Sequence, residues 1–103
     1  MRKITARDFT STAAWDALPI EQIEGATLRL HWSDAPYKWH INDGPEVFVV
    51  LDGEVDMHIR QEGREEVLRL KVGDIFHAEN GDEHIARPEG PMRALVIEKA
   101  GSV

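Results

Sequence analysis

Apolar and polar side chains alternate along three stretches of the chain, and this period of two is the pattern of a β-strand buried on one face. The apolar positions are Leu28, Leu30 and Trp32, then Val55, Met57 and Ile59, then Leu68, Leu70 and Val72. Turn residues interrupt the pattern roughly every eight to twelve positions, a spacing typical of all-β sandwiches and barrels. The same parity places His31 and His58 on solvent-facing sides of their strands.

Short connections between these runs indicate antiparallel neighbours. Asp52-Gly53 and Glu62-Gly63 each lie between two apolar runs and are predicted to be hairpin turns. Helix is indicated only over Ser11 to Leu18, where Ser11 or Thr12 is a candidate N-cap and Pro19 a stop. The chain is therefore predicted to be all-β, with one short N-terminal helical segment.

Two polar segments contain the side chains best suited to chemistry. In the first, His40 and Asn42 are two residues apart, so on a strand their side chains point to the same face. The turn-forming residues up to Pro45 then bring Glu46 back beside them. The second segment supplies His84. Two imidazoles and a carboxylate that leave coordination positions open suit a divalent transition metal, namely iron, manganese, nickel or zinc. With no cysteine in the chain, histidine and carboxylate are the available metal donors.

The two segments resemble the two motifs of the cupin family. The first motif reads HxH, three or four residues, E, six residues, G; the second reads G, five residues, PxG, two residues, H. The matching positions are His40, Glu46 and Gly53 in the first motif, and Gly73, Gly81 and His84 in the second. Asn42 stands where the second histidine belongs, and Glu79 replaces the proline.

This resemblance implies the fold and the domain organisation. It implies a single domain over residues 1–103, with a double-stranded β-helix, or jelly-roll, barrel of about eight antiparallel strands over roughly residues 27–98. Residues 1–26 are expected to pack on the barrel. The metal positions carried over are His40, Asn42, Glu46 and His84.

Asn42 leaves three readings of the site open, because an amide oxygen is a weaker donor to a transition metal than an imidazole. The site is a working three-ligand centre, a weak site, or a relic pocket that binds an organic ligand without metal. In an alternative register Lys38 and His40 would take the paired positions, but the spacing from His40 to Glu46 is then too long for the motif.

Further side chains are candidates for the pocket. Trp39 and Phe48 would provide an apolar wall for a small, partly apolar organic ligand. His77 is a candidate acid, base or donor behind the metal ligands. Lys38 is a candidate partner for Glu46 in a site without metal.

The strand Val47–Leu51 is apolar on both faces, so its outer face needs a cover. We expect a homodimer to bury that face. The alternative cover is the N-terminal segment of the same chain, through Phe9, Trp15 and Ile20.

Charge and hydropathy exclude other classes of protein. Twelve Lys and Arg residues against nineteen Asp and Glu residues give a net charge of -7, with no basic cluster, so nucleic acid is not an expected partner. No apolar stretch reaches the length of a membrane span or a secretory signal, so a cytoplasmic location with no membrane association is expected.

Two functional classes remain. The first is a metal-dependent enzyme that acts on a small organic molecule, with the ion held by His40, Glu46 and His84. The second is a non-catalytic cupin that binds or senses a small molecule and has a degenerate metal site. Fold alone does not choose between them.

Overall fold

Nine β-strands and one 3-10 turn make up the chain in the computed structural model, which describes residues 1–102. The strands are β1 (Asp16–Ile23), β2 (Ala26–Ser33), β3 (His40–Ile41), β4 (Glu46–Asp52), β5 (Val55–Gln61), β6 (Arg64–Leu70), β7 (Ile75–Ala78), β8 (Glu83–Pro88) and β9 (Met92–Lys99). Within residues 1–102, no helix has the length and apolarity needed to cross a bilayer.

The strands form two antiparallel sheets that enclose one core. The five-stranded sheet has the order β1-β2-β9-β4-β7, and the four-stranded sheet has the order β3-β8-β5-β6. Buried side chains of both sheets pack together: Phe48, Val50, Val55, Met57, Leu70, Phe76, Ala78, Ala86, Met92, Ala94 and Val96. The predicted all-β fold of antiparallel strands is confirmed, with nine strands within residues 1–102 where about eight were expected.

One of the two predicted hairpin turns is a hairpin. Glu62-Gly63 joins β5 to β6, which pair from Val55 with Leu70 to Gln61 with Arg64, and both turn residues have positive φ angles, 51° and 76°. Asp52-Gly53 was predicted to be a hairpin, and this was wrong, because β4 and β5 belong to different sheets. The chain crosses from one sheet to the other at this point.

The N-terminal helical segment is a single 3-10 turn at Ala6–Asp8. The prediction of helix over Ser11 to Leu18 was wrong. The Ser11 hydroxyl accepts a hydrogen bond from the Ala13 amide at 3.0 Å and closes a turn, and Trp15 follows with a φ of 60°, outside the right-handed helical region. The chain then enters β1, which pairs with β2 and extends the five-stranded sheet.

The 3-10 turn and the two residues after it lie against the outer face of the five-stranded sheet. The 3-10 turn contacts β4 and β9. Arg93 of β9 donates hydrogen bonds to the Phe9 carbonyl at 2.9 Å and to the Thr10 hydroxyl at 2.7 Å, and it also pairs with Asp52 at 2.8 Å. The chain's own N-terminal segment thus packs beside β4, although Trp15 turns to the inner face. The homodimer stays a prediction.

Gly53 provides a test of the crossing between the sheets. Its φ is 77°, and a Cβ atom at this position would lie 2.5 Å from the Pro91 carbonyl oxygen. Gly63 has nearly the same φ, 76°, but a Cβ there would have no neighbour within 4 Å. Because both substitutions strain φ and only one creates a clash, Gly53→Ala should lower the free energy of unfolding by at least about 1 kcal/mol more than Gly63→Ala.

Urea unfolding of the two variants followed by tryptophan fluorescence measures this difference. Equal losses of stability would mean that the backbone at Pro91 moves away without cost, and that the crossing is not tightly packed.

Candidate metal centre

Three donor residues from three strands meet at one place between the two sheets. His40 begins β3 and lies directly opposite His84 of β8 in the four-stranded sheet, whereas Glu46 begins β4 in the five-stranded sheet. One ligand atom from each of the three residues lies within 4.8 Å of the others. Packing of the two sheets therefore brings together donors that are far apart in sequence.

The distance between Glu46 and His84 fits a shared ion. His84 Nε2 lies 3.1 Å from Glu46 Oε1. Metal bonds of about 2.1 Å at right angles would place neighbouring donor atoms about 3.0 Å apart. The two imidazole rings of His40 and His84 are also close, with centroids 4.3 Å apart. The donor set and its spacing therefore fit a divalent transition metal.

His40 is oriented by a backbone hydrogen bond. Its Nδ1 lies 3.1 Å from the Lys38 carbonyl oxygen, so Nδ1–H donates and Nε2 keeps a free lone pair. Metal-binding histidines are commonly fixed by such a bond at the second ring nitrogen. Burial, together with the nearby His84, lowers the pKa of His40 below 6.5 despite the Lys38 hydrogen bond, which favours the neutral, ligating form.

Glu46 is a buried carboxylate, only 7% exposed. Burial alone would raise its pKa, but hydrogen bonding and charge from His84 and a hydrogen bond from Asn42 outweigh burial and lower the pKa below 4.5. The carboxylate is therefore ionised at neutral pH, as a metal ligand must be.

Asn42 lies inside the centre and contacts two of the three donors. Its amide nitrogen donates to Glu46 Oε1 at 3.3 Å, and its Oδ1 lies 2.7 Å from His84 Nε2, which donates to it. A metal would need the lone pair of that same Nε2, so the ring proton would have to move to Nδ1. His84 Nδ1 is buried and has no hydrogen-bond partner within residues 1–102. Asn42 thus competes with a metal for His84.

A cavity of about 220 Å³ adjoins the three donors. Its walls are formed by Trp15, Arg29, His31, Tyr37, His40, Glu46, Phe48, Met57, His84, Ala86, Val96, Glu98 and Ser102. Phe48 lies where the sequence predicted it. A small organic molecule of mixed polarity is the ligand that such walls suit.

Three of the predicted pocket residues lie outside this cavity. Lys38 is exposed, with its ammonium 5.7 Å from the centre of the Tyr37 ring, and it makes no ion pair with Glu46. Trp39 packs under the guanidinium of Arg60 at 3.8 Å. His77 is exposed, and its Nε2 lies 3.1 Å from Glu79. Asn42, not Lys38, is the residue beside Glu46.

Arg29 and His31 line the cavity, and the sequence prediction that His31 faces solvent was wrong. In β2 the apolar residues Leu30 and Trp32 point to the outer side of the sheet, where they are buried. Arg29 pairs with Val96 of β9, which belongs to the core, so Arg29 and His31 share the inner face. Alternation revealed the strand but not which of its faces is the inner one.

Glu98 also lines the cavity, and the sequence did not predict it as a site residue. It lies directly opposite Glu46 across β4 and β9, and its carboxylate pairs with Arg29 at 2.7 Å. Burial and the charge of Glu46 raise the pKa of Glu98 above 4.5, although Arg29 opposes the shift. Two carboxylates directly opposite one another are unfavourable unless a cation lies nearby.

His31 is held neutral in the cavity wall. Burial and the positive charge of Arg29 lower its pKa below 6.5, against a weaker effect of a hydrogen bond to the Trp15 backbone. Because the unfolded chain then binds this proton more readily than the folded chain, the contribution of His31 to stability is complete above pH 6.5 and declines as the pH falls below that value.

Comparison with known structures identifies the same architecture elsewhere. A cupin-2 domain-containing protein from Shewanella frigidimarina superposes with a TM-score of 0.79 at 22% identity, covering 93% of each chain. Protein TT1209 from Thermus thermophilus superposes with a TM-score of 0.78 at 23% identity, covering 96% of this chain and 97% of its own. Identity at this level shows a shared fold.

A third similar structure belongs to an enzyme. Hydroquinone 1,2-dioxygenase PnpCD, in complex with Fe3+, superposes with a TM-score of 0.77 at 16% identity, over 87% of this chain and 29% of the dioxygenase chain. No curated protein matches the chain by sequence.

The sequence model of the cupin domain family matches residues 27–98, more than half of the chain. This match agrees with the two sheets, the antiparallel topology and the similar solved structures. The chain belongs to the cupin domain family.

Proposed function

We propose that this cupin binds a divalent transition metal, iron, manganese, nickel or zinc, through His40, Glu46 and His84, and a small organic molecule in the adjoining cavity. The observation that carries the proposal is the convergence of three donor atoms within 4.8 Å between the sheets, beside that cavity. Two imidazoles and one carboxylate form a 2-His-1-carboxylate set, which leaves coordination positions for the organic molecule.

The ion would supply Lewis acidity or a redox centre, and with it a reaction at the bound molecule. The protein's own contribution is to hold two of the three donors in their ligating forms: the Lys38 carbonyl fixes the His40 ring, and Asn42 and His84 keep Glu46 ionised. The fold that this chain shares with a dioxygenase is compatible with a metal-dependent enzyme. The fold does not choose the reaction.

The second candidate is a non-catalytic cupin that binds or senses a small molecule. Asn42 favours it, because the hydrogen bond of its Oδ1 with His84 Nε2 at 2.7 Å gives the centre a stable arrangement without an ion. Metal content separates the two candidates, since the second requires none.

Removal of a donor should abolish metal binding. We expect Glu46→Ala and His84→Ala to lower zinc affinity at least about 100-fold, because a site of three donors would keep only two. Both variants should remain folded, since the two side chains line the cavity wall. Metal per chain is measured by elemental analysis after purification without chelator, and affinity is measured by competition with a zinc indicator.

His77→Ala is the matched control, because His77 is a histidine on the surface of the same domain and lies outside the cavity. It should bind metal as the wild type does. Wild-type protein that takes up none of the four metals when each is offered would contradict the metal-dependent proposal and favour the second candidate.

Asn42→His should strengthen the centre. An imidazole in place of Asn42 adds a strong donor beside Glu46 and His84 and removes the amide oxygen that occupies His84 Nε2. We expect zinc affinity to rise by at least about tenfold, measured with the same competing indicator. Asn42→Ala is the control, because it removes the competing hydrogen bond without adding a donor.

If Asn42→His and Asn42→Ala bind zinc equally well, the gain comes from freeing His84 alone. No gain in either variant would mean that Asn42 does not limit the centre.

A further inference from the structure

A second polar group lies in the cavity, apart from the three metal donors. Arg29 and His31 are alternate residues of β2, so their side chains leave the same face about 7 Å apart along the strand. Glu98 of β9 pairs with Arg29 at 2.7 Å. All three residues line the cavity that His40, Glu46 and His84 also line. The proposed metal function does not use them.

Arg29 offers an unused hydrogen-bond donor. Its Nη2 donates to Glu98 Oε1, but its Nε is buried and has no partner within the described chain. A buried N–H without a partner costs about 1–3 kcal/mol, so such groups are usually satisfied by protein, water or ligand. A ligand oxygen in the cavity would remove this cost.

His31 offers an unused polar atom. Its ring nitrogen Nδ1 is buried and has no hydrogen-bond partner among residues 1–102. In a neutral imidazole this nitrogen carries either a proton or a lone pair, depending on the tautomer. A hydroxyl group completes the hydrogen bond in either tautomer, because it both donates and accepts.

The charges of the cavity favour an anion once a metal is present. Arg29 contributes one positive charge, and Glu46 and Glu98 contribute one negative charge each, so the protein groups sum to one negative charge. A divalent ion changes that sum to one positive charge. A ligand with a single negative charge would then neutralise the cavity, which a neutral ligand would not do.

The rest of the wall accommodates an apolar body. Trp15 and Tyr37 pack edge to face with ring centroids 5.2 Å apart, and Phe48 lines the same cavity. Tyr37 also packs edge to face on His40, with centroids 5.4 Å apart, so the aromatic wall runs from the side of His31 to the metal donors. A flat, partly apolar molecule fits beside such rings.

We propose that Arg29 and His31 select the organic ligand of this cavity, and that the ligand is a small monocarboxylate with a hydroxyl group. The Arg29 guanidinium donates to the carboxylate, and the hydroxyl makes a hydrogen bond with His31 Nδ1. The inference rests on the proposed function, because it names the class of molecule that binds beside the metal. Glu98 positions the Arg29 guanidinium through the pair at 2.7 Å.

Three probes of one shape separate the two contacts. 4-Hydroxybenzoate carries both groups, benzoate lacks the hydroxyl, and 4-hydroxybenzamide lacks the charge. Each is titrated by calorimetry into zinc-loaded and metal-free protein, and the metal content of each sample is recorded. The wild type should bind 4-hydroxybenzoate more tightly than either of the other two, because benzoate lacks the hydrogen bond to His31 and the amide oxygen of 4-hydroxybenzamide accepts from Arg29 without charge assistance.

The variants are designed so that no buried carboxylate loses its partner. Glu98→Gln alone is compared with the double variant Arg29→Met and Glu98→Gln, because these two proteins differ only at Arg29. We expect the double variant to bind benzoate at least about tenfold more weakly than Glu98→Gln, with a smaller loss of affinity for the uncharged 4-hydroxybenzamide. His31→Phe, which keeps a ring, should abolish the preference for 4-hydroxybenzoate over benzoate.

Equal benzoate affinity in the two Glu98→Gln proteins would overturn the assignment of Arg29, and so would the absence of carboxylate binding by the wild type in the millimolar range. A preference for the hydroxyl that survives in His31→Phe would overturn the role of His31. If the wild type takes up no metal, the proposed function fails separately. The two Glu98→Gln proteins, titrated without metal, then still decide whether Arg29 binds carboxylates.

Discussion

The buried carboxylate of Glu46 is the group around which the rest of the centre is arranged. A negative charge that is only 7% exposed is costly unless hydrogen bonds and opposite charge compensate it. Here the compensation comes from His84 of β8 and from Asn42, which lies between β3 and β4. Because Glu46 begins β4 in one sheet and His84 lies in the other, this contact also joins the two sheets at the end where the cavity lies.

Asn42 has two opposite effects on this arrangement. It stabilises the ionised Glu46 by donating a hydrogen bond, and it accepts the proton of His84 Nε2, the atom that a metal would need. Metal binding would form bonds to the donors, but it would break the short hydrogen bond between Asn42 and His84. It would also leave the His84 proton on Nδ1, which is buried and has no hydrogen-bond partner within residues 1–102. The broken hydrogen bond, and the weaker donor that Asn42 offers, lower metal affinity relative to a centre with a histidine at position 42.

The spacing of residues within motifs and strands predicted part of the candidate site and most of the strands. Motif spacing placed His40, Asn42, Glu46 and His84 in one group, and alternation predicted the strands. The inner face of β2 could not be predicted in this way, because it depends on the pairing of Arg29 with Val96, a contact between distant parts of the chain. Both faces of β2 are at least partly buried, so polarity does not distinguish them.

The same limit explains two wrong predictions, the helix over Ser11 to Leu18 and the hairpin turn at Asp52-Gly53. A propensity for helix over Ser11 to Leu18 is a weak local preference, and pairing of β1 with β2 outweighs it. Asp52-Gly53 has the composition of a hairpin turn, but β4 finds its partners in β7 and β9, not in β5. In both cases the competing interaction was a strand pairing that local sequence does not encode.

The pairing of β4 with β9 links the metal centre to the rest of the cavity. It places Glu46 directly opposite Glu98, and Glu98 in turn holds Arg29. Burial and the repulsion between the two facing carboxylates raise the pKa of Glu98, although Arg29 pairs with it. A divalent ion at Glu46 would relieve this repulsion and make the cavity receptive to an anion. Metal binding and ligand binding would then be coupled electrostatically, each favouring the other, through residues that sit on adjacent strands of one sheet.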